Sequence, residues 1–299
     1  MESIVLGLSD EDAYRAASTN YGGIVGRYAN RIGGGGFSID GAFYPLPSNL
    51  NGNMHLHGGY VGFDQKEWNV ISFDQHHIKL HYQSMDGEEG YPGKLNVYVN
   101  YKLMQDNSLH YSCTASTDKA TPVSLSHHAY FNLSGDMNQS AKDHVLSIAA
   151  DHFLQTDKNQ LPTQIALVEA TPFDFRIEKK IGRDIEEKNI HLSIGNGYDH
   201  CYYFGNEERG CTKVAELWDP ASGRTLAIET NQPGLQLYTA NWLSPEAQDY
   251  KGTTLLPYHA VCLEPQQLPD APNRLDFPSP ILRSGEIYEH QTIFRLGIR

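Results

Sequence analysis

Cysteine is scarce, with four in 299 residues, and Cys113, Cys201, Cys211 and Cys262 form no Cys-x-x-Cys pair. So few scattered thiols fit neither a zinc ribbon nor a disulfide scaffold; they read as small buried hydrophobes. Positive charge is short as well: 23 Lys and Arg stand against 36 Asp and Glu, a net charge of −13. Without a Lys/Arg run the chain lacks the electrostatic footprint of a nucleic-acid binder, and anionic lipid is disfavoured for the same reason. No stretch approaches the roughly 18–20 apolar residues of a membrane-spanning helix. The start, Met-Glu-Ser followed soon by Asp10, Glu11 and Asp12, carries no basic region before a long apolar one. A cytoplasmic protein with free thiols is expected.

Aromatic bulk, in contrast, is plentiful, with 18 Tyr and 11 Phe, enough for a core. Period-2 alternation dominates. Lys94–Leu103 sets Leu95, Val97, Val99, Tyr101 and Leu103 on one face, the pattern of a half-buried strand. Tyr111–Thr117, Val145–Ala149, Thr225–Glu229 and Leu235–Thr239 read alike, separated by turn signals such as Asp86-Gly87, Tyr91-Pro92-Gly93 and Gln232-Pro233-Gly234. Helix signals are confined to Ser9–Ala17, with Ser9 as the expected cap, and Ile181–Lys188. Many short strands at close spacing predict an all-β fold, one large antiparallel β-sandwich, with residues 1–299 as a single domain. The run Gly33–Gly36 lacks the strand–helix context of a nucleotide loop and predicts a flexible hairpin.

Polar and ionisable residues interrupt these apolar patterns in six clusters, where burial is expensive without a partner. They are GRYANRI (Gly26–Ile32), NMHLHGG (Asn53–Gly59), SHHAYFNL (Ser126–Leu133), YDHCYYF (Tyr198–Phe204), TNQPGLQLYTANWL (Thr230–Leu243) and CLEPQQLPDAPN (Cys262–Asn273). In this order they resemble the aldose 1-epimerase (galactose mutarotase) family, as do TPFDFR (Thr171–Arg176) and GFDQKEW (Gly62–Trp68). The resemblance runs from about Ile4 to the C-terminus. It implies the family's β-supersandwich and the interconversion of α and β anomers of a free aldose, galactose or glucose, without metal or cofactor.

Anomer exchange requires a proton to leave the C1 hydroxyl while another reaches the ring oxygen, followed by rotation about C1–C2 and reclosure; one base and one acid suffice. The resemblance puts Glu264 as the base and His128, directly before Ala129-Tyr130-Phe131-Asn132, as the acid. A carboxylate of ordinary pKa about 4.3 is a poor base at neutrality, so burial is expected to raise it, whereas an imidazole near about 6.5 is partly protonated there. Asn30, Arg31, His57, Asp199 and Gln236 fall on the family's sugar-binding positions, and Trp68, Tyr130 or Trp242 offers a stacking face. Taken alone, His55 and His57 at i, i+2 could share a strand face and ligate a metal, but no third ligand stands nearby. Asp199 could instead cap a turn, and Asp86–Glu89 reads as a solvated loop.

The chain departs from the family pattern at His127 (usually Asn), Ala129 (usually Ser) and Pro265 (usually Thr). In an extended segment His127 faces away from the site, while Pro265 removes an N–H beside the base. Met1–Leu8 is expected to enter partway through the N-terminal sheet, without the family's first strands. Two other functions fit the same residues: a carbohydrate-binding protein without turnover, and a hexose-6-phosphate 1-epimerase, which would need extra cations around a phosphate. The expected partner is a small aldose, bound by a monomer or homodimer.

Overall fold

The computed structural model describes residues 2–17, 19–205, 210–243 and 248–299, so of the Met1–Leu8 segment Met1 lies outside the described residues. Two large antiparallel sheets dominate. The nine-stranded sheet runs, edge to edge, through Lys179–Lys180, Val145–Ile148, Thr212–Trp218, Arg224–Thr230, Tyr288–Ile298, Ser108–Thr117, Leu95–Leu103, His77–Ser84 and Asn69–Phe73. The six-stranded sheet runs through Tyr130–Phe131, Val261–Gln266, Gly234–Tyr238, Asp199–Tyr203, His152–Thr156 and Pro162–Leu167. This is the antiparallel all-β sandwich that the alternation predicts.

The main core lies between the sheets. Leu95, Val97 and Val99, fully buried as their alternation requires, meet Phe153, Tyr202, Leu235, Leu237, Val261 and Leu263 from the six-stranded sheet. Each such side chain contributes roughly 1.5–3 kcal/mol through burial. At the far end of the same strand the alternation loses its partner, and Leu103 is exposed. Beyond Tyr130–Phe131 the sheet edge is covered by the N-terminal segment: Val5 bridges Phe131, and the Leu6 amide donates to the Tyr130 carbonyl at 2.9 Å.

Both helix expectations need correction. The first helix, Glu11–Ala16, is capped by Asp10, whose Oδ1 accepts the Ala13 amide at 2.9 Å, while Ser9 only donates its hydroxyl to that carboxylate. A carboxylate also suits the positive end of a helix. Ile181–Lys188 makes only a single 3₁₀ turn at Ile181–Arg183. Its Asp184 carboxylate is held at 2.6 Å by Lys179 and at 2.8 Å by Arg183. The second helix falls at Ile190–Gly195, capped by Asn189 and ended by Asn196 in the left-handed region, φ 53°. The tetraglycine leads into the hairpin of Gly36–Ile39 with Ala42–Pro45, anchored where the Gly33 amide donates to Asp270 Oδ1 at 2.9 Å. Asp86–Glu89 is bonded rather than merely solvated: Glu88 accepts from Tyr82 and Ser84, and Glu89 from the Tyr60 and Val61 amides.

The GRYANRI segment crosses the outer face of the six-stranded sheet, and its two arginines have different duties. Arg27, buried, directs all of its N–H groups at one loop: Ser84 Oγ takes bonds from Nε and Nη2 at 3.2 and 2.6 Å, and the carbonyls of Met85, Pro92 and Gly93 accept at 3.0, 3.0 and 2.9 Å. Burial pulls its pKa down to about 10. The contacts satisfy the guanidinium fork and fix the segment that carries Asn30 and Arg31. Arg27→Ala strands those acceptors and is expected to cost at least about 3 kcal/mol, read as a lower urea midpoint at unchanged slope; a loss under about 1 kcal/mol would contradict this account.

Candidate active site

Cross-strand register assembles the site. On the face of the six-stranded sheet turned away from the core, Tyr130 pairs with Cys262, Cys262 with Tyr238, and Tyr238 with Asp199. One step along, Glu264 pairs with Gln236. Because successive strand residues alternate in facing, the strands that give Leu235, Leu237, Val261 and Leu263 to the core present Gln236, Tyr238, Cys262 and Glu264 on the other side. Pro265 keeps its place opposite Leu235, and its carbonyl accepts the Ser126 hydroxyl at 2.9 Å, so the missing N–H leaves the register of Glu264 intact.

The opposing wall comes from two short strands, Arg31–Ile32 and His55–Leu56. Asn30 and His57 beside them both adopt left-handed backbone, φ 70° and 51°, a conformation that costs free energy and clusters at functional sites. They hold one another: the Asn30 amide donates to His57 Nδ1 and the His57 amide to the Asn30 carbonyl, each at 3.1 Å. The acceptor role of Nδ1 puts the neutral ring's proton on Nε2. Glycine is obligatory at position 58, where a Cβ would come 1.8 Å from the Gly26 carbonyl oxygen. That close approach explains the His-Gly-Gly sequence.

A charge-assisted network joins the two walls. Asp199 Oδ1 accepts Gln236 Nε2 at 2.6 Å, and Oδ2 accepts Gln160 Nε2 at 2.6 Å and Arg31 Nη2 at 3.4 Å. Gln160 Oε1 in turn accepts Arg31 Nη2 at 2.6 Å, so a glutamine completes the Arg–Asp pair. Asp199 is thus a network centre and not a turn cap. Glu264, His128, Asn30, Arg31, His57, Asp199 and Gln236 all line one pocket with Thr19, Asn20, Leu56, Tyr130, Tyr238 and Trp242.

At the pocket floor His128 Nε2 stands 3.6 Å from Glu264 Oε1, too far for a direct hydrogen bond. The backbone of His128 is fixed on both sides: its amide donates to Gly23 at 2.9 Å and its carbonyl accepts from Gly22 at 3.0 Å. Its ring stacks on Tyr130, centroids 5.0 Å apart, and meets His57 edge-on at 5.4 Å. Burial drives Glu264 well above the ordinary carboxyl range, reinforced by the charge of Asp199 and opposed by Arg31. Burial also lowers His128 to about 4, and burial together with His128 and Arg31 takes His57 well below the ordinary imidazole value. The partly protonated imidazole expected from an ordinary pKa is therefore corrected: in the sugar-free pocket the pair favours its uncharged forms.

Other expectations resolve on the same geometry. His55 and His57 share no face, because the strand ends at Leu56 and His57 turns left-handed; His55 points to the Pro47 carbonyl at 2.8 Å and packs against Tyr91. Trp68 donates its indole N–H to Phe63 and packs on Tyr82, away from the pocket, whereas Trp242 stands at its rim, 57% exposed. His127 faces the opposite way from His128 and meets the Tyr101 hydroxyl at 3.0 Å. Sequence reasoning missed Gln160, which sits in the turn Asp157–Leu161 with no motif to mark it. It also missed Tyr238, whose i+2 spacing from Gln236 was a usable signal.

The model of the aldose 1-epimerase family matches residues 1–295. Galactose mutarotase of Rattus norvegicus is 39% identical over 99% of this chain and 84% of its own length; aldose 1-epimerase of Escherichia coli (strain K12) is 33% identical over 97% and 84%. Among solved structures, an aldose epimerase homologue from C. elegans superposes with a TM-score of 0.88 at 28% identity, covering 98% of this chain and 87% of that one. Galactose 1-epimerase from Lactobacillus acidophilus NCFM gives 0.86 at 29%, covering 99% and 86%. Fold and matches together define an isomerase. The chain belongs to the aldose 1-epimerase family.

A carboxyl whose pKa is raised by folding adds stability below its unfolded value, near 4.5, and loses it as pH rises toward the folded value. Gln copies the protonated form. Glu264→Gln should therefore unfold at higher urea than the wild type at pH 7, with the difference vanishing toward pH 4. A variant equally stable or weaker at pH 7, measured by urea unfolding, would contradict the buried-carboxyl account.

Proposed function

We propose that Glu264 and His128 carry out the family reaction in this chain, interconverting the α and β anomers of a free hexose, galactose or glucose. The observation that supports it is their 3.6 Å juxtaposition at the floor of a pocket walled by hydrogen-bonding side chains. With sugar bound, the mobile proton passes from Glu264 to His128. The Glu264 carboxylate then takes the proton of the C1 hydroxyl while the His128 imidazolium delivers one to the ring oxygen, and the bond between C1 and the ring oxygen breaks. Rotation about C1–C2 presents the other face of the aldehyde, and reclosure returns both protons. Since burial disfavours both charges, the pair works as a unit holding one mobile proton, and the sugar's hydroxyls lend polarity when it binds. General acid and base each contribute roughly 10²–10⁴ in rate.

Asn30, Arg31, His57, Asp199 and Gln236 orient the sugar through their amides, guanidinium, imidazole and carboxylate. Trp242, with an exposed face at the rim, is the stacking surface, because the Tyr130 ring already lies against His128. A hexose 6-phosphate fits less well: among the described pocket residues Arg31 is the one Lys or Arg, and its Nη2 is committed to Gln160 and Asp199. Cytoplasmic residence as a monomer or homodimer belongs to the same reading and agrees with four free cysteines.

Polarimetry of freshly dissolved α-D-galactose in a weakly catalytic buffer tests it. Rotation should relax much faster with the wild type than in the blank, and Glu264→Gln should lose at least about 10²-fold in rate while still binding sugar. Relaxation at the blank rate with folded wild-type protein would leave a carbohydrate-binding protein without turnover.

A further inference from the structure

Cys262 has no part in the epimerisation chemistry, yet it lies two residues before Glu264 on the same strand face, directly opposite Tyr130 and Tyr238. One donor atom each from His128, Cys262 and Glu264 lies within 4.8 Å of the other two, and all three side chains are buried. Two polar atoms there are left over: Glu264 Oε2 and His128 Nδ1 are buried without a protein partner. We propose that His128, Cys262 and Glu264 form a site for a borderline-soft divalent cation of the zinc class, overlapping the sugar pocket, so that cation and hexose exclude one another.

The donor set and its spacing carry this. Imidazole, thiolate and carboxylate are the ligands zinc takes, at about 2.0–2.3 Å, and sites with three protein ligands keep an open fourth position. A tetrahedron of that size has edges of about 3.4–3.7 Å. The His128–Glu264 separation is already 3.6 Å, and no pair has to close by more than about 1.4 Å from its limit of 4.8 Å. Binding exchanges the thiol proton for a sulfur–metal bond, with the proton passing to buffer; thiolate and carboxylate then balance the dication. His128 and Glu264 line the pocket, so a cation held by them lies against the space a hexose would fill. Magnesium and calcium, which require oxygen ligands, do not suit this set.

The test reads the metal itself as well as turnover. Co²⁺ titrated into the full chain should produce a thiolate-to-metal charge-transfer band in the near ultraviolet. The band should persist in Cys211→Ser, which alters the partly exposed thiol, and disappear in Cys262→Ser and Cys262→Ala, either of which serves if the other fails to fold. Galactose should displace the bound Co²⁺. Zn²⁺ should inhibit the wild type competitively with galactose and reversibly by chelator, while Mg²⁺ does nothing. Loss of an outer-sphere partner alone costs a metal site about 10–100-fold in affinity, so the Cys262 variants should need at least about tenfold more Zn²⁺. No band in the wild type, an equal band in a Cys262 variant, or no competition with galactose would overturn the proposal. Co²⁺ binding does not depend on turnover, so its failure is distinguishable from failure of the epimerase reading.

Discussion

Everything in the site depends on strand alternation at one place. Asp199–Tyr203, Gly234–Tyr238 and Val261–Gln266 are neighbours whose odd and even residues divide between a hydrophobic core and a buried polar floor. A slip of one residue would turn every side chain to the opposite face, putting Glu264 among the leucines and Leu263 on the pocket floor. Core packing therefore sets the position of the ionisable groups. The pairings Glu264–Gln236 and Tyr238–Asp199 are as much products of Leu235 and Leu263 as of the polar residues themselves.

Buried on this floor, the ionisable groups fall into two sets that behave differently. Asp199 is surrounded by donors from Gln236, Gln160 and Arg31, and Arg31 is returned to the same network through Gln160. Glu264 and His128 receive no such compensation and are pushed toward neutrality, the carboxyl up and the imidazole down. Partnered groups can orient a substrate; unpartnered ones can exchange a proton with it. That division follows from hydrogen-bond supply, since a buried carboxyl without donors resists ionisation.

How legible this was in the sequence differs by element. Leu95, Val97 and Val99 announce a buried face, and Glu264 and His128 stand out because ionisable residues inside apolar strands demand a reason. Segments governed by local side-chain competition were harder. Asp10 took the cap from Ser9, and Asp184, drawn to Lys179 and Arg183, stopped the helix expected after Ile181. The left-handed turn at His57 broke the i, i+2 rule that had aligned it with His55. Gln160 was invisible because it reaches Asp199 from 39 residues away through a surface turn, a contact that only the assembled sheets create.

The central claim is that the fold holds Glu264 and His128 as an uncharged, proton-sharing pair. Nitrogen-15 NMR of the His128 ring, followed from pH 8 to pH 3 in the sugar-free protein, tests it most directly. The account predicts a neutral ring through the physiological range, with protonation only on approaching about 4. A midpoint near the ordinary imidazole value of about 6.5 would contradict it, since the ring would then be solvated and the low-dielectric floor absent.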